Sequence, residues 1–496
     1  MKNNTLKVQR KKMKVEMVDN YPSWIYIGLF FLICAFVFGS IVVTKKMLSQ
    51  MFPKQKTEAP KLELNLRPSE EWKEEEGGFF TLPIKNIKWV KDLPFTSHFH
   101  EIGEPIILND TFVTDNWPPF QKWDFEYLKS RTISQKIGNI FKNVNERFGP
   151  SFDPKKPMNS LSFVNRVNPY VVMEMEAKQF WRKMERRNPM EDPNYYYFSE
   201  NVVSVVEQMD ILEDIERVNW LELGSQSDTQ NINLWVGQKG VVTHAHYDSF
   251  DNFIVQIRGE KRWTLFPPNI TDTHLHYYPF LHPSHAQSQI DLTDVNKRLF
   301  EKFKGARGLS GVLKAGQVLY VPAFWTHFVE ALSPTISFNA WSFTSQSDSM
   351  STVFEIFDVY RPLEGYDKQF QKIMAAKCFL SFLLKALDPA ASLKNLINSL
   401  MEMRYRPLVR SQSFQLNLDD VYKFSETCES TYAKQQQVSI CHKIEKHVSI
   451  EKIASIFRTI PDSTKKIWIF NFVELVLAHA VSLDKISVLL SSSCLH

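Results

Sequence analysis

The stretch Thr243-His244-Ala245-His246-Tyr247-Asp248 decides the fold prediction, because it offers a histidine and a carboxylate two residues apart. Side chains along an extended strand alternate between its two faces, so His246 and Asp248 would point the same way. Both could then bind one metal ion from the same side. Further along the chain, Trp325-Thr326-His327 supplies a third candidate ligand.

This donor set is typical of one kind of metal site. Two imidazoles and one carboxylate leave the opposite positions of an octahedral metal open, as in non-haem Fe(II) oxygenases, where O2 and an organic co-substrate occupy them. A lone histidine on an apolar strand is more often a core residue, and a His-x-Asp triplet alone is weak evidence. Three ligands in one chain favour a metal centre. His244 would share the face of His246, and we interpret it as lining the pocket.

Strand and turn signals surround the candidate ligands. Residues 252–257 form an apolar, β-branched run that ends at the turn signal 258–260. Residues 261–266 read as the returning strand, and residues 318–321 as a short buried strand before the third ligand. The pattern predicts a mainly β core with the ligands at strand ends.

The region from Trp235 to Pro268 resembles the cupin-like JmjC family of Fe(II)- and 2-oxoglutarate-dependent oxygenases. Within that family the chain most resembles the asparaginyl hydroxylase that inhibits hypoxia-inducible factor. The likeness covers roughly residues 80 to 405. Its motifs are Thr243, His246, Asp248, Asn252, Lys261, Phe266-Pro267-Pro268, Trp117-Pro118 and Asn339-Ala340-Trp341.

The resemblance implies a double-stranded β-helix, also called a jelly roll or cupin, with flanking helices. It also implies Fe(II) and the co-substrates 2-oxoglutarate and O2. The metal-binding and catalytic residues would be His246, Asp248 and His327. The residues that would bind the co-substrate are Thr243, Lys261, Tyr197, Asn252, Asn339 and Trp341.

The activity implied by the resemblance is hydroxylation of a protein side chain. Ser199 stands where the hydroxylase has a glutamine, and His244 replaces a proline, so the substrate does not carry over. Two alternatives stay open: a JmjC-fold binding or scaffold protein without turnover, and an N-methyl demethylase. Residues 370–387 and 393–403 resemble the paired helices that form the hydroxylase dimer, which implies a homodimer.

The amino-terminal region predicts a membrane anchor. Residues 24–43 carry no charge over about 20 positions, enough for a transmembrane helix. No small-residue cleavage site follows, so we expect an uncleaved signal anchor. Basic residues on both flanks, with more of them before the span, favour a type II protein with a lumenal catalytic domain in the endoplasmic reticulum or secretory pathway. A buried core helix is the alternative.

The predicted organisation follows from these segments. The net charge of +4 and the lack of a basic, aromatic stripe argue against nucleic-acid binding. The four cysteines in the last quarter permit disulfides, with Cys428 and Cys441 as the expected pair, although free thiols are an equal alternative. The predicted domains are a basic cytosolic tail (1–23), the membrane anchor (24–43), a polar tether (44–78), the JmjC/cupin-like catalytic domain (79–365) and a helical region (366–496).

Overall fold

The β core consists of two sheets whose strands come mostly from the middle of the chain. The computed structural model describes residues 72–88, 103–109, 117–148, 170–216, 232–282, 284–342, 344–355, 363, 365–410, 416–447, 449–482 and 485–495. The strands in these ranges are β1 Lys73–Glu74, β2 Phe80–Pro83, β3 Lys85–Lys88, β4 Ile106–Asn109, β5 Lys136–Asn143, β6 Arg147–Phe148, β7 Val171–Glu176, β8 Tyr195–Asn201, β9 Ile232–Gly237, β10 Val242–His246, β11 Asp251–Arg258, β12 Glu260–Phe266, β13 Arg307–Lys314, β14 Val318–Val321, β15 Thr326–Ala331 and β16 Thr335–Ser342.

The strands from β9 to β16 wind between the two sheets. The first sheet has the order β1-β2-β13-β12-β15-β10-β6, and the second has β3-β4-β14-β11-β16-β9-β8-β5-β7. Apolar side chains of both sheets pack in one cluster, in which Trp263 and Leu265 of β12 meet Ile254 of β11 and Leu319 of β14. This is the predicted jelly-roll arrangement, in which two sheets enclose a filled interior.

A tight turn connects the two sheets. Gly259 joins β11 to β12 with a φ of +74°, a left-handed conformation that glycine adopts without strain. A Cβ atom at this position would lie 2.1 Å from the carbonyl oxygen of Pro334. The turn therefore requires glycine, and it sends the chain from the sheet of β11 to the sheet of β12.

Helices flank the sheets and make up the region after β16. The described helices are α1 Pro118–Lys122, α2 Phe125–Ser130, α3 Ala177–Glu185, α4 Val202–Gln208, α5 Leu212–Glu216, α6 Thr271–His274, α7 Ser345–Glu355, α8 Gln369–Leu387, α9 Leu393–Leu400, α10 Arg406–Arg410, α11 Leu418–Glu429, α12 Thr431–His447, α13 Ile450–Thr459, α14 Asp462–Ala480 and α15 Ile486–Ser491, with a π-helical turn at Met401–Tyr405 after α9. One apolar core cluster runs from the cupin strands into α8, α13 and α14.

The helical region predicted after residue 366 is confirmed, and residues 201–215 do not form a single helix. That segment forms α4 and α5, because the chain is extended at Met209, where it makes an isolated bridge with Thr132. The homodimer through 370–387 and 393–403 stays a prediction, as do the domain boundaries.

The membrane part of the predicted fold class, and the predicted membrane localisation, must be corrected. In the part of the chain that the structure describes, no helix combines the length and apolar character needed to cross a bilayer. The two 19-residue helices, α8 and α14, are each interrupted by charged side chains. The segment 24–43, on which the prediction rested, lies outside the described residues.

Two disulfides tie the helical region together, and the expected pair Cys428–Cys441 is wrong. Cys378 is bonded to Cys441 and Cys428 to Cys494, each with Cα atoms 5.3 Å apart. Cys428 lies at the end of α11, whereas Cys441 lies ten residues into α12. Ten helical residues rise about 15 Å, which is farther than a disulfide can span.

A buried ionic cluster joins the helical region to the cupin core. The Arg404 guanidinium donates to Asp272 of α6 and to Asn471 and Glu474 of α14. Burial would lower the pKa of Arg404, but the carboxylates of Asp272 and Glu474 outweigh burial and raise it. All four side chains are buried, so the charges depend on one another for solvation.

Replacing this arginine is expected to destabilise the protein strongly. Arg404→Ala leaves two carboxylates buried without their cation, which costs roughly 3–5 kcal/mol. The matched control is Arg406→Ala, whose half-exposed ion pair with Glu402 contributes about 0.3–0.5 kcal/mol. Urea unfolding followed by circular dichroism measures both. Equal losses in the two variants would contradict the structural role of the cluster.

Candidate metal centre

The three candidate ligands meet where β10 lies beside β15. The two strands are antiparallel, and His246 lies directly opposite His327. Between Thr243 and His246, β10 carries one more residue than β15 has between its paired positions, so the register shifts there. Such a bulge re-aims the side chains that follow it. It places His246 across from His327 at the end of the strand.

Asp248 reaches the site from a loop, and the alternation argument that placed it on the strand is wrong. The strand β10 ends at His246, and Asp248 lies two residues beyond that end. The Asp248 carbonyl oxygen accepts a hydrogen bond of 2.7 Å from the backbone nitrogen of Phe324. The loop that carries Asp248 is thereby joined to the loop that precedes His327.

The ligand atoms of His246, Asp248 and His327 lie within 4.8 Å of one another. His327 Nε2 is 3.7 Å from Asp248 Oδ2, and the two imidazole ring centroids are 4.1 Å apart. Each histidine turns its Nδ1 toward a backbone carbonyl, His246 to His244 at 2.8 Å and His327 to Trp325 at 3.0 Å. These bonds leave both Nε2 atoms directed at the common centre.

The protonation state of His327 suits metal binding. Burial, and secondarily the neighbouring His246, lowers the pKa of His327 to about 4. The imidazole is therefore neutral at physiological pH, which is the form that binds metals. Two imidazole donors beside one carboxylate fit a divalent transition metal such as Fe(II).

A polar network orients the Asp248 carboxylate. Asn252 Nδ2 and Trp341 Nε1 each donate to Asp248 Oδ2, both at 3.2 Å. Asn252 in turn accepts from Asn339 at 3.1 Å, and Asn339 accepts from Trp235 Nε1 at 2.6 Å. Three residues predicted to bind the co-substrate thus contact the metal-site carboxylate or one another. Their role toward the co-substrate stays a prediction.

A lysine is buried inside the barrel, and in the described part of the chain no acidic side chain forms an ion pair with it. Lys261 on β12 is only 5% exposed, and its Nζ donates to Ser337 Oγ at 2.8 Å. Burial lowers its pKa to about 7, and no charged neighbour contributes to the shift. A desolvated ammonium of this kind is costly unless an anion joins it. The site therefore fits a ligand carboxylate.

Tyr197 is the member of the Tyr195-Tyr196-Tyr197 run that faces this interior. Its hydroxyl group hydrogen-bonds with Thr243, and burial raises its pKa. Tyr196 instead donates to Asp192. His244 is not one of the three candidate ligands. Its Nε2 instead contacts the carbonyl oxygen of Ser288 at 2.7 Å.

Sequence reasoning missed Ser337 and gave Trp235 no role. Ser337 lies two positions before Asn339 on β16, so strand alternation puts both on one face. That spacing would have indicated a hydroxyl group near the predicted co-substrate pocket. Nothing near Trp235 in the sequence indicates its bond to Asn339.

Comparison with known proteins agrees with this geometry. A family model described as a cupin-like domain matches residues 93–349. The chain belongs to the cupin-like domain family. The JmjC-type cupin prediction is confirmed at this level, whereas a special closeness to the asparaginyl hydroxylase stays a prediction.

Several curated proteins are similar to part of this cupin-family chain. Human HSPB1-associated protein 1 is 35% identical over 159 residues, 30% of each protein. Lysine-specific demethylase 8 of Xenopus tropicalis is 26% identical over 254 residues, 50% of each. Lysine-specific demethylase JMJ30 of Arabidopsis thaliana is 24% identical over 265 residues, 52% of this chain and 54% of that protein. The chain thus spans about a third to a half of these relatives.

Removing a candidate ligand is expected to weaken metal binding strongly without unfolding the protein. His246→Ala should weaken Co(II) binding by more than the roughly 10–100-fold that is typical when a residue hydrogen-bonded to a metal ligand is replaced. Titration followed by visible absorption measures this affinity. For Asn252→Leu the loss of Co(II) affinity should fall within that range, because the substitution removes a hydrogen bond to Asp248 rather than a ligand. The control is the exposed His442→Ala. Unchanged affinity in His246→Ala would contradict the site assignment.

Proposed function

We propose that this protein is an Fe(II)- and 2-oxoglutarate-dependent oxygenase that hydroxylates a side chain of a protein substrate. The observation that supports it most is the pairing of two features in one barrel. His246, Asp248 and His327 converge on one point. Lys261 lies buried in the same barrel, and no acidic side chain among the described residues forms an ion pair with it. A metal alone would explain the first feature but not the second.

The three ligands would hold iron on one face and leave the other face to co-substrates. When bound, iron and 2-oxoglutarate supply the O2 activation that amino-acid side chains lack. In hydroxylation one oxygen atom of O2 enters the substrate C–H bond, and the other enters succinate, as 2-oxoglutarate loses CO2. The protein's own contribution is placement, through imidazoles held by backbone carbonyls, an oriented carboxylate and buried surroundings.

Lys261 would bind the far carboxylate of 2-oxoglutarate as a compact positive charge. Ser337 holds its Nζ at 2.8 Å. The hydrogen-bonded hydroxyl groups of Tyr197 and Thr243 offer further donors to the same carboxylate. Because the pocket is buried, each of these interactions is stronger than it would be in water.

Turnover of 2-oxoglutarate tests the proposal directly. The full chain with Fe(II) should form succinate, and His327→Ala should reduce that rate to background while its circular dichroism spectrum is unchanged. If the wild type neither forms succinate nor binds iron and 2-oxoglutarate, the proposal fails. A JmjC-fold binding protein without turnover would then be the better interpretation.

The affinity for 2-oxoglutarate is expected to fall as the pH rises above 7. The free Lys261 has a pKa of about 7, and a bound carboxylate favours its charged form, so binding takes up a proton above that pH. Affinity should drop roughly tenfold per pH unit until the pKa of the complex is reached. Calorimetry with the metal-loaded protein from pH 7 to 9 measures the slope.

Lys261→Met should bind 2-oxoglutarate more weakly and lose this pH dependence. The matched control is the same substitution at the exposed Lys239, which should keep both the affinity and the slope. An unchanged slope in Lys261→Met would show that another group senses the pH.

N-methyl demethylation is the second candidate activity, because two of the similar proteins are named lysine-specific demethylases. The likeness of the motifs to the hydroxylase branch favours hydroxylation. The two reactions differ in product, since oxidation of an N-methyl group releases formaldehyde and hydroxylation retains the added oxygen. Mass spectrometry of treated peptides separates a gain of one oxygen from the loss of a methyl group.

A further inference from the structure

The helix α14 lies outside the matched residues 93–349, yet it contacts both segments that carry the metal ligands. We propose that Trp468, Asn471 and Glu474 of α14 are positioning residues for the metal centre. The inference rests on the proposed function, since it assigns these residues to the same iron site. They are spaced three residues apart, so they lie on one side of the helix.

Trp468 supports the loop that leads into His327. Phe324 in that loop has a φ of +65°, a left-handed conformation that a bulky residue adopts only under strain. Its ring packs at 5.2 Å against Trp468 and at 5.4 Å against Tyr247. Its backbone nitrogen donates to the Asp248 carbonyl at 2.7 Å. Packing by Trp468 therefore stabilises a conformation that places two ligands relative to each other.

Asn471 supports the segment between the other two ligands. Tyr247 separates His246 from Asp248, and its hydroxyl group hydrogen-bonds with the Asn471 side chain. The tyrosine is buried, so rotation about the ligand segment would break this bond inside the core. An unpaired buried polar group costs about 1–3 kcal/mol. The bond thus resists movement of both ligands.

Glu474 supports the same strand through a neighbouring loop. Its carboxylate accepts from the backbone nitrogen of Phe280. The loop that follows pairs with the ligand segment, through Tyr247 N to Ala286 O at 3.0 Å and Ser288 N to Ala245 O at 2.9 Å. The helix α14 is therefore connected to the end of β10 through this loop.

Arg404 fixes the two polar members of this set. Its Nη1 lies 2.8 Å from Asn471 Oδ1 and 3.1 Å from Glu474 Oε2. Because the guanidinium binds the Asn471 amide oxygen, the amide nitrogen is the group left to face Tyr247. The buried cation thus sets the rotamers that α14 presents to the metal site.

Metal affinity in the full-length protein tests this inference. Tyr247→Phe removes only the hydroxyl group that Asn471 contacts, and Trp468→Leu removes the support of Phe324. Both variants should bind Co(II) on the order of 10-fold more weakly, which is the lower end of the range for residues that orient metal ligands. Their visible absorption bands should also shift, because the ligand geometry relaxes.

The control is Phe472→Leu on the same helix. The Phe472 ring packs against Phe379 and Phe457 of the helical region. This variant should lose stability to urea as Trp468→Leu does, yet keep wild-type Co(II) affinity and bands. Wild-type binding in both Tyr247→Phe and Trp468→Leu would overturn the positioning role and leave the proposed function intact. A wild type that binds no Co(II) would overturn the proposed function itself.

Discussion

The antiparallel pairing of β10 with β15 is the constraint on which the rest of the site depends. Both histidines lie at paired positions of these strands, and the extra residue in β10 makes His246 face His327. A slip of one residue would turn a histidine to the opposite face of the sheet. The bonds from Nδ1 of each imidazole to a backbone carbonyl then fix the rings. Backbone pairing therefore sets the positions of the two histidines, and the loop after β10 brings Asp248 to them.

Two polar arrangements in the core differ in how their charges are satisfied. In the Arg404 cluster the cation has counter-charges, since it contacts two carboxylates and an amide oxygen. Lys261 donates to the Ser337 hydroxyl group, no acidic side chain in the described ranges forms an ion pair with it, and burial lowers its pKa to about 7. Buried charge without a partner is unfavourable and is retained where a ligand supplies the partner. We therefore interpret the first arrangement as structural, and the proposed function assigns the second to a ligand carboxylate, although both are buried to a similar degree.

The sequence predicted the parts of the structure that depend on local pattern. The strand at 318–321 and the turn at Gly259 follow from periodicity and glycine, and residue type indicated the three candidate ligands that the fold brings together. It did not predict the position of Asp248 beyond the strand, because a bulge depends on the register of the partner strand. Ser337 and the disulfide partners of Cys428 and Cys441 depend on contacts between distant segments. The contact of Trp468 with Phe324 is equally long-range, and the apolar surroundings of Trp468 in α14 indicate only that the helix is buried.

Diffraction from crystals of the full chain grown without O2, with Mn(II) in place of Fe(II) and with 2-oxoglutarate, tests the central claim most directly. The account predicts anomalous scattering at one point bound by His246 Nε2, Asp248 and His327 Nε2. It also predicts a carboxylate of 2-oxoglutarate at Lys261 Nζ. Metal bound at another group of residues, or 2-oxoglutarate bound away from Lys261, would contradict the account.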